Sequence, residues 1–252
     1  MGAPIAIGAA AESPAAQRRD AWWLEVAAVI VGLGAFGVYA TLRAFEGAYF
    51  EWGPYLSPFY SPLIDVNHRY WPWSPALLIL GGPLGFRATC YYYRKAYYRA
   101  FFFDPPACAV SERSGRNYGG ETRFPFILQN AHRYFLYLAA VFIAFLWHDA
   151  VKGFFFDDGF GVGLGSLVLL INVVLLTLYL FSCHSLRHLF GGRTDCFSCA
   201  AYGPQRYSFW RRLTSLNENH MLFAWMSLFS VGFADLYIRL VASGAIRDPR
   251  LL

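Results

Sequence analysis

Charge is scarce in this sequence. Asp, Glu, Lys and Arg make up 15% of the 252 residues, where an ordinary soluble domain carries about 25%. There is no phosphate-binding loop, no dinucleotide fingerprint and no zinc-protease motif, and no Ser-His-Asp arrangement is suggested. No polar stretch is long enough for a soluble catalytic domain, which needs at least about 50 residues. Together these absences exclude an ordinary soluble enzyme.

What is present is apolar. Hydrophobic residues reach 57% and aromatics 19%, and they gather in blocks near the roughly 20 residues that a bilayer-spanning helix requires. Five spans are expected, at about 22–44, 73–93, 131–151, 161–189 and 220–242. The second contains Gly81, Gly82 and Pro83, which predict a kink. The expected fold class is an all-α membrane protein, a bundle of about five transmembrane helices with basic loops on one side. The division reads as an N-terminal cytoplasmic tail (1–21), a transmembrane domain (22–242) and a C-terminal tail (243–252). Arg18 and Arg19 precede the first apolar block, but no small-residue cleavage pattern follows it. The block therefore reads as a retained helix, and residues 1–17 as a disordered tail. No internal repeat stands out.

The net charge is +5, and its placement argues against a nucleic-acid partner. Arg94, Lys95, Arg99, Arg113, Arg116 and Arg123 lie between the second and third spans. Arg193, Arg206, Arg211 and Arg212 lie between the fourth and fifth. Alternate loops carry mostly acids, among them Glu46, Glu51, Asp65, Asp157 and Asp158. The positive-inside rule places the N-terminus and both basic segments in the cytoplasm. Arg247 and Arg250 stand against the rule, beyond the last span. Aromatic residues interleave the basic segments (Tyr97, Tyr98, Phe101, Phe102, Tyr118, Phe124), a composition suited to docking a soluble partner.

Histidine and cysteine gather at the basic face. His132 opens the third span, His220 opens the fifth, and His184 and His188 end the fourth. Only His68 and His148 lie toward the far face. Cys90 and Cys183 sit at the basic-face ends of the second and fourth spans, and Cys108, Cys196 and Cys199 lie in the basic segments. A reducing cytoplasm argues against disulfides, so thiols near imidazoles become candidate metal ligands. His184 and His188, four residues apart, share one helix face with side-chain origins roughly 6 Å apart. The ordinary alternative for any one histidine is a helix-end cap. For the whole cluster it is weaker, because ionisable groups at membrane depth are expensive and usually functional.

Two metal readings compete. One is haem b between imidazoles of different helices. Two haems would need four ligands at two depths, and His132 and His148 stand roughly 24 Å apart along one helix. The other is a Rieske-type two-iron cluster, with two thiolates on one iron and two imidazoles on the other. The short Cys-x-His boxes of an ordinary Rieske loop are absent, so several helices would have to supply the ligands. Composition and spacing leave the two readings open. A transporter is the third class, but midplane polar sites and inverted repeats are not seen.

The segments RATCYYYRKAYYR (Arg87 to Arg99), PPACAV (Pro105 to Val110), NAHRYF (Asn130 to Phe135) and CHSLRHLFGG (Cys183 to Gly192) resemble one family as a set. Asn217 to His220 and the run Phe233 to Tyr237 add to them. The family is the single-chain, five-helix membrane anchor of the actinobacterial type of succinate dehydrogenase. The resemblance covers about residues 22–242. It implies a subunit of respiratory complex II that is inactive toward succinate alone and that binds a flavoprotein subunit and an iron–sulfur subunit at the cytoplasmic face. Electrons would pass to menaquinone or ubiquinone in the plasma membrane. The partners that the resemblance allows also include a further small membrane subunit and a higher oligomer of the complex.

The resemblance also implies a membrane-embedded Rieske-type [2Fe-2S] cluster in place of haem. Its candidate ligands are Cys90, Cys183, His184, His188, His132 and His220, more than one cluster needs. The alternative is a haem b-binding subunit of a fumarate reductase or of another quinone-linked oxidoreductase. Polar candidates for a quinone headgroup at that depth are Arg87, Tyr91, Arg133, Tyr134 and Arg187. Their ordinary alternative is to anchor helix ends and form the aromatic belt.

Overall fold

A segment in hydrocarbon must close its backbone hydrogen bonds internally, and the long apolar blocks do so as helices. The computed structural model describes residues 21–66, 69–103, 105–107, 122, 124, 126–192 and 194–252. The N-terminal tail and its arginines lie outside the described residues, as do His68, Cys108, Arg113, Arg116, Tyr118, Arg123 and Arg193. The helices are α1 (Trp23–Glu46), α2 (Ala76–Ala88), α3 (Tyr91–Tyr97), α4 (His132–Lys152), α5 (Leu164–Phe181), α6 (His184–Gly191), α7 (Gly203–Glu218) and α8 (His220–Ala242). Two-residue hairpin strands, β1 (Glu51–Trp52) with β2 (Tyr55–Leu56) and β3 (Phe155–Phe156) with β4 (Gly159–Phe160), complete the regular structure.

Four of these helices are long and apolar enough to cross a bilayer among the described residues: α1, α5, α8, and α4 with the turn that leads into it. The expected count of five full spans is not reproduced. The second block yields α2, a shorter apolar helix of 13 residues. That is about 20 Å of rise against a hydrocarbon core of about 30 Å. The chain then breaks at Thr89-Cys90 and resumes as α3. The fourth block, expected as one helix to residue 189, likewise breaks at Ser182-Cys183, and α6 follows.

Small residues set the packing. A Cβ at Gly82 would lie 2.6 Å from the Phe142 ring, and one at Gly85 would overlap Phe135. These two glycines let α2 approach α4 closely. The outward residues of α1 are large and apolar, with Val31, Val38 and Leu42 all more than 60% exposed, as a lipid-facing helix requires.

The connection from α1 to α2 folds back into the bundle. Tyr55, Ser57, Phe59, Tyr60 and Ser61 are all buried there. Asp235 of α8, with no solvent exposure, holds this segment. It accepts hydrogen bonds from Tyr39 (2.6 Å), the Ser57 hydroxyl and Arg239 Nε (2.8 Å). Arg239 also donates to Glu46 (3.0 Å) and to the Ala48 carbonyl (2.6 Å). The C-terminal residues are pinned as well. Asp248 accepts from Tyr55 (2.8 Å), Tyr237 (2.5 Å) and the Gly165 amide (2.9 Å). Arg250, which stood against the charge rule, pairs in bidentate fashion with Asp158 at 2.6 and 2.7 Å.

Cys196 and Cys199 form a disulfide, which corrects the expectation of free thiols at these two positions. Their Cys-x-x-Cys turn ahead of α7 brings the Cα atoms to 5.3 Å, inside the range a disulfide accepts. Among the described residues the free cysteines are Cys90 and Cys183, both buried.

Candidate metal centre

The two helix breaks build the centre. Ser and Thr hydroxyls that bond back to a carbonyl of the preceding turn bend a helix, and both breaks use this device. Thr89 Oγ1 donates to the Gly85 carbonyl at 2.7 Å, and Ser182 Oγ donates to the Tyr179 carbonyl at 2.9 Å. The next residue is a cysteine in extended conformation in each case, Cys90 at φ −66°, ψ 131° and Cys183 at φ −65°, ψ 133°. Each cysteine is the N-cap of the helix that follows. The amides of Tyr92 and Tyr93 lie toward the Cys90 sulfur, and those of Ser185 and Leu186 toward Cys183. Helix N-termini of this kind favour negative charge, which a thiolate carries.

His132 and His220 arrive from opposite sides as the first residues of α4 and α8. His132 Nε2 lies 3.2 Å from Cys183 Sγ, and His220 Nε2 lies 3.3 Å from Cys90 Sγ. His132 Nδ1 meets Thr89 Oγ1 at 3.0 Å, and His220 Nδ1 meets Ser182 Oγ at 2.8 Å. Each ring also stacks on an aromatic four residues before a cysteine. His132 stacks on Phe86 at 4.7 Å, and His220 on Tyr179 at 5.1 Å. The two halves are equivalent. Phe86-x-x-Thr89-Cys90 answers to Tyr179-x-x-Ser182-Cys183, with Arg94 and Arg187 four residues further on. This short pattern did not stand out in the sequence. The pairs are exchanged, since each histidine bonds the hydroxyl of one break and faces the thiol of the other.

His184 and His188 stay outside. Both are exposed on α6, the helix that Cys183 caps. Among the described residues no group of three or more His, Cys, Asp or Glu side chains closes to the spacing that one metal ion needs. The convergence takes the form of two Cys–His pairs.

The quinone candidates divide in the same way. Arg87 donates to Tyr93 Oη (2.6 Å), the Ala224 carbonyl (3.2 Å) and Ser227 (3.0 Å), and lies 4.6 Å above the Tyr179 ring. It also lines an apolar cavity of about 430 Å³ bordered by α1, α2, α4, α5 and α8. Tyr179 lines the same cavity, and its buried hydroxyl has no hydrogen-bond partner. Tyr91, Arg133 and Tyr134 are exposed. Arg187 faces α7, donating to Thr214 at 2.9 Å beneath the Trp210 ring. Thr89, Ser182, Phe86 and Tyr179 were not singled out from sequence. The signal that marks them is the twice-occurring pattern of aromatic, two residues, hydroxyl and cysteine.

Apolar spans around a buried thiol–imidazole centre near the basic ends of the helices define a multi-pass membrane protein with a candidate metal centre. Residues 24–244 match the family described as actinobacterial succinate dehydrogenase subunit SdhC. The chain belongs to that family and is a multi-pass protein of the plasma membrane. It is also similar to a chain of the solved Mycobacterium smegmatis Sdh1 complex in the apo form, at 43% identity and a TM-score of 0.86, with 96% of each chain covered. No curated protein matches it.

Proposed function

We propose that this chain is the electron-carrying membrane anchor of its succinate dehydrogenase, with a Rieske-type two-iron centre held by Cys90, Cys183, His132 and His220. The observation that carries the reading is the buried pairing of two thiols with two imidazole Nε2 atoms from four helix starts. This donor set is the one a Rieske centre uses, and mixed ligation raises its potential above that of an all-thiolate plant-type cluster. When bound, such a centre supplies one-electron transfer. The chain's own residues do the rest. The helix breaks hold the thiols, the aromatic stacks hold the imidazoles, and the surrounding bundle excludes water. Haem b is less well supported, because two buried thiols lie beside the two imidazoles, and a haem held between imidazoles has no use for them.

Electrons would arrive from a flavoprotein and an iron–sulfur subunit docked on the basic face. Exposed Lys95, Arg211 and Arg212, with the exposed aromatics Phe101, Phe102 and Phe124, suit that contact. They would leave to menaquinone or ubiquinone. Arg87, at the end of the apolar cavity that neighbours the centre, is the best placed of the headgroup candidates, because the cavity walls accept an isoprenoid tail. Absorption and electron paramagnetic resonance of the purified complex test the reading. A Rieske-like signal with about two irons per chain and no sharp haem b band is expected. Stoichiometric haem b without that signal would overturn it.

The orientation is part of the same reading, with the N-terminus and the segments 94–129 and 190–217 in the cytoplasm on the strength of their Lys and Arg, against which the Cys196–Cys199 disulfide is an opposing observation. An impermeant thiol reagent, applied to single-cysteine variants in those segments, should label them in inverted vesicles but not in intact cells. Labelling from outside would reverse the topology.

A further inference from the structure

The centre contains two buried hydroxyls whose protons can be accounted for. A hydroxyl has one proton to donate and two lone pairs that accept. Thr89 Oγ1 lies 2.7 Å from the Gly85 carbonyl oxygen, and Ser182 Oγ lies 2.9 Å from that of Tyr179. A carbonyl cannot donate, so each hydroxyl proton is committed there. The remaining contacts, 3.0 Å to His132 Nδ1 and 2.8 Å to His220 Nδ1, are then hydrogen bonds only if the ring nitrogen donates. The same accounting holds in both halves of the repeat.

We infer that Thr89 and Ser182 are a matched pair of positioning residues that lock His132 and His220 in the Nδ1–H tautomer. Both rings then present an unprotonated Nε2 toward the thiols. A metal-ligating nitrogen must offer a lone pair, and the bond made by the other ring nitrogen decides which one does. Stacking on Phe86 and Tyr179 fixes the planes of the rings, but a ring flipped by 180° would keep its stack. The hydroxyls tell Nδ1 from Nε2, and at His132 a backbone hydrogen bond with Phe86 acts beside the hydroxyl. Ser182 is itself held, because Asn217 Nδ2 donates to its carbonyl at 2.7 Å, tying the break to the end of α7. For its consequence at a metal the inference rests on the proposed four-ligand centre. For the tautomer it rests on hydrogen bonds alone.

The test compares Thr89→Val and Ser182→Ala with the conservative Thr89→Ser and Ser182→Thr, all in the intact complex. Second-sphere partners of ligating histidines typically govern about 10–100-fold in metal affinity. Resistance of the iron signal to a chelator should fall by roughly that factor in the valine and alanine variants and return in the conservative ones. The midpoint potential should shift in the same two variants, by similar amounts in each. A second readout needs no metal. Solid-state nitrogen-15 spectra of histidine-labelled complex stripped of iron should show Nδ1–H tautomers for His132 and His220. Thr89→Val should release the first and Ser182→Ala the second. Unchanged iron retention, potential and nitrogen spectra in both variants would overturn the inference while leaving the centre intact. If wild-type complex carries no iron–sulfur signal, the proposed centre fails, and the nitrogen spectra alone decide the tautomer assignment.

Discussion

Cys90→Ser and Cys183→Ser are each expected to abolish the iron–sulfur signal and to lower quinone reduction by more than roughly 100-fold, beyond the range typical of second-sphere changes. His132→Ala and His220→Ala should do the same. His184→Ala and His188→Ala should leave signal and turnover near wild type. The contrast follows from burial and direction. Cys90, Cys183 and His132 are 3%, 1% and 5% exposed, and their ligand atoms face one another across the two breaks. His184 and His188 lie on the exposed face of α6. Succinate oxidation with a soluble acceptor should survive all of these changes if partner subunits carry that chemistry. Loss of the signal in the His184 or His188 variants, or its retention in either serine variant, would require a different ligand set.

The second large effect is expected at the far face. Asp235→Leu removes the acceptor shared by Tyr39, Ser57 and Arg239. Breaking a buried ion pair by removing one partner costs about 3–5 kcal/mol, because the other charge is left uncompensated. Arg239 keeps Glu46 at 3.0 Å, which places the expected loss near the lower end of that range. The thermal midpoint of the detergent-solubilised complex should fall accordingly. A combined Asp235→Leu and Arg239→Met variant should recover much of the loss. An unchanged midpoint in the single variant would mean that the folded-back segment between α1 and α2 is held by its apolar contacts alone. Because Phe59 in that segment lines the apolar cavity, accessibility of the cavity to an apolar probe is the companion measurement.

Much of this protein is legible without tertiary information, and the reasons are local. Scarce charge and apolar blocks of about 20 residues leave a chain little choice but to span a bilayer, since desolvation of the backbone enforces helices there. The unequal distribution of Lys and Arg separates basic connections from acidic ones. The clustering of Cys and His at the basic ends marked where a metal could sit, and the four ligands proposed here, Cys90, Cys183, His132 and His220, were all among the candidates.

The choice among the candidates was not local. His184 and His188 have the spacing of a bidentate helix face, yet a break one residue earlier turns that face outward. The break comes from a hydroxyl–carbonyl bond at Ser182 that composition does not reveal. Thr89 and Ser182 share a sequence pattern, but what they do emerged only when α2, α4, α5 and α8 came together and set each hydroxyl against an imidazole. Asp235 likewise reads as a lone acid in a span until Tyr39, Ser57 and Arg239 are seen to surround it. The sequence by itself determined that the chain crosses the membrane and that its thiols and imidazoles gather at the basic ends of the spans, because solvation acts on each segment separately. Only the tertiary structure decided which thiol meets which imidazole, because hydrogen-bond direction and side-chain facing depend on helices far apart in the chain.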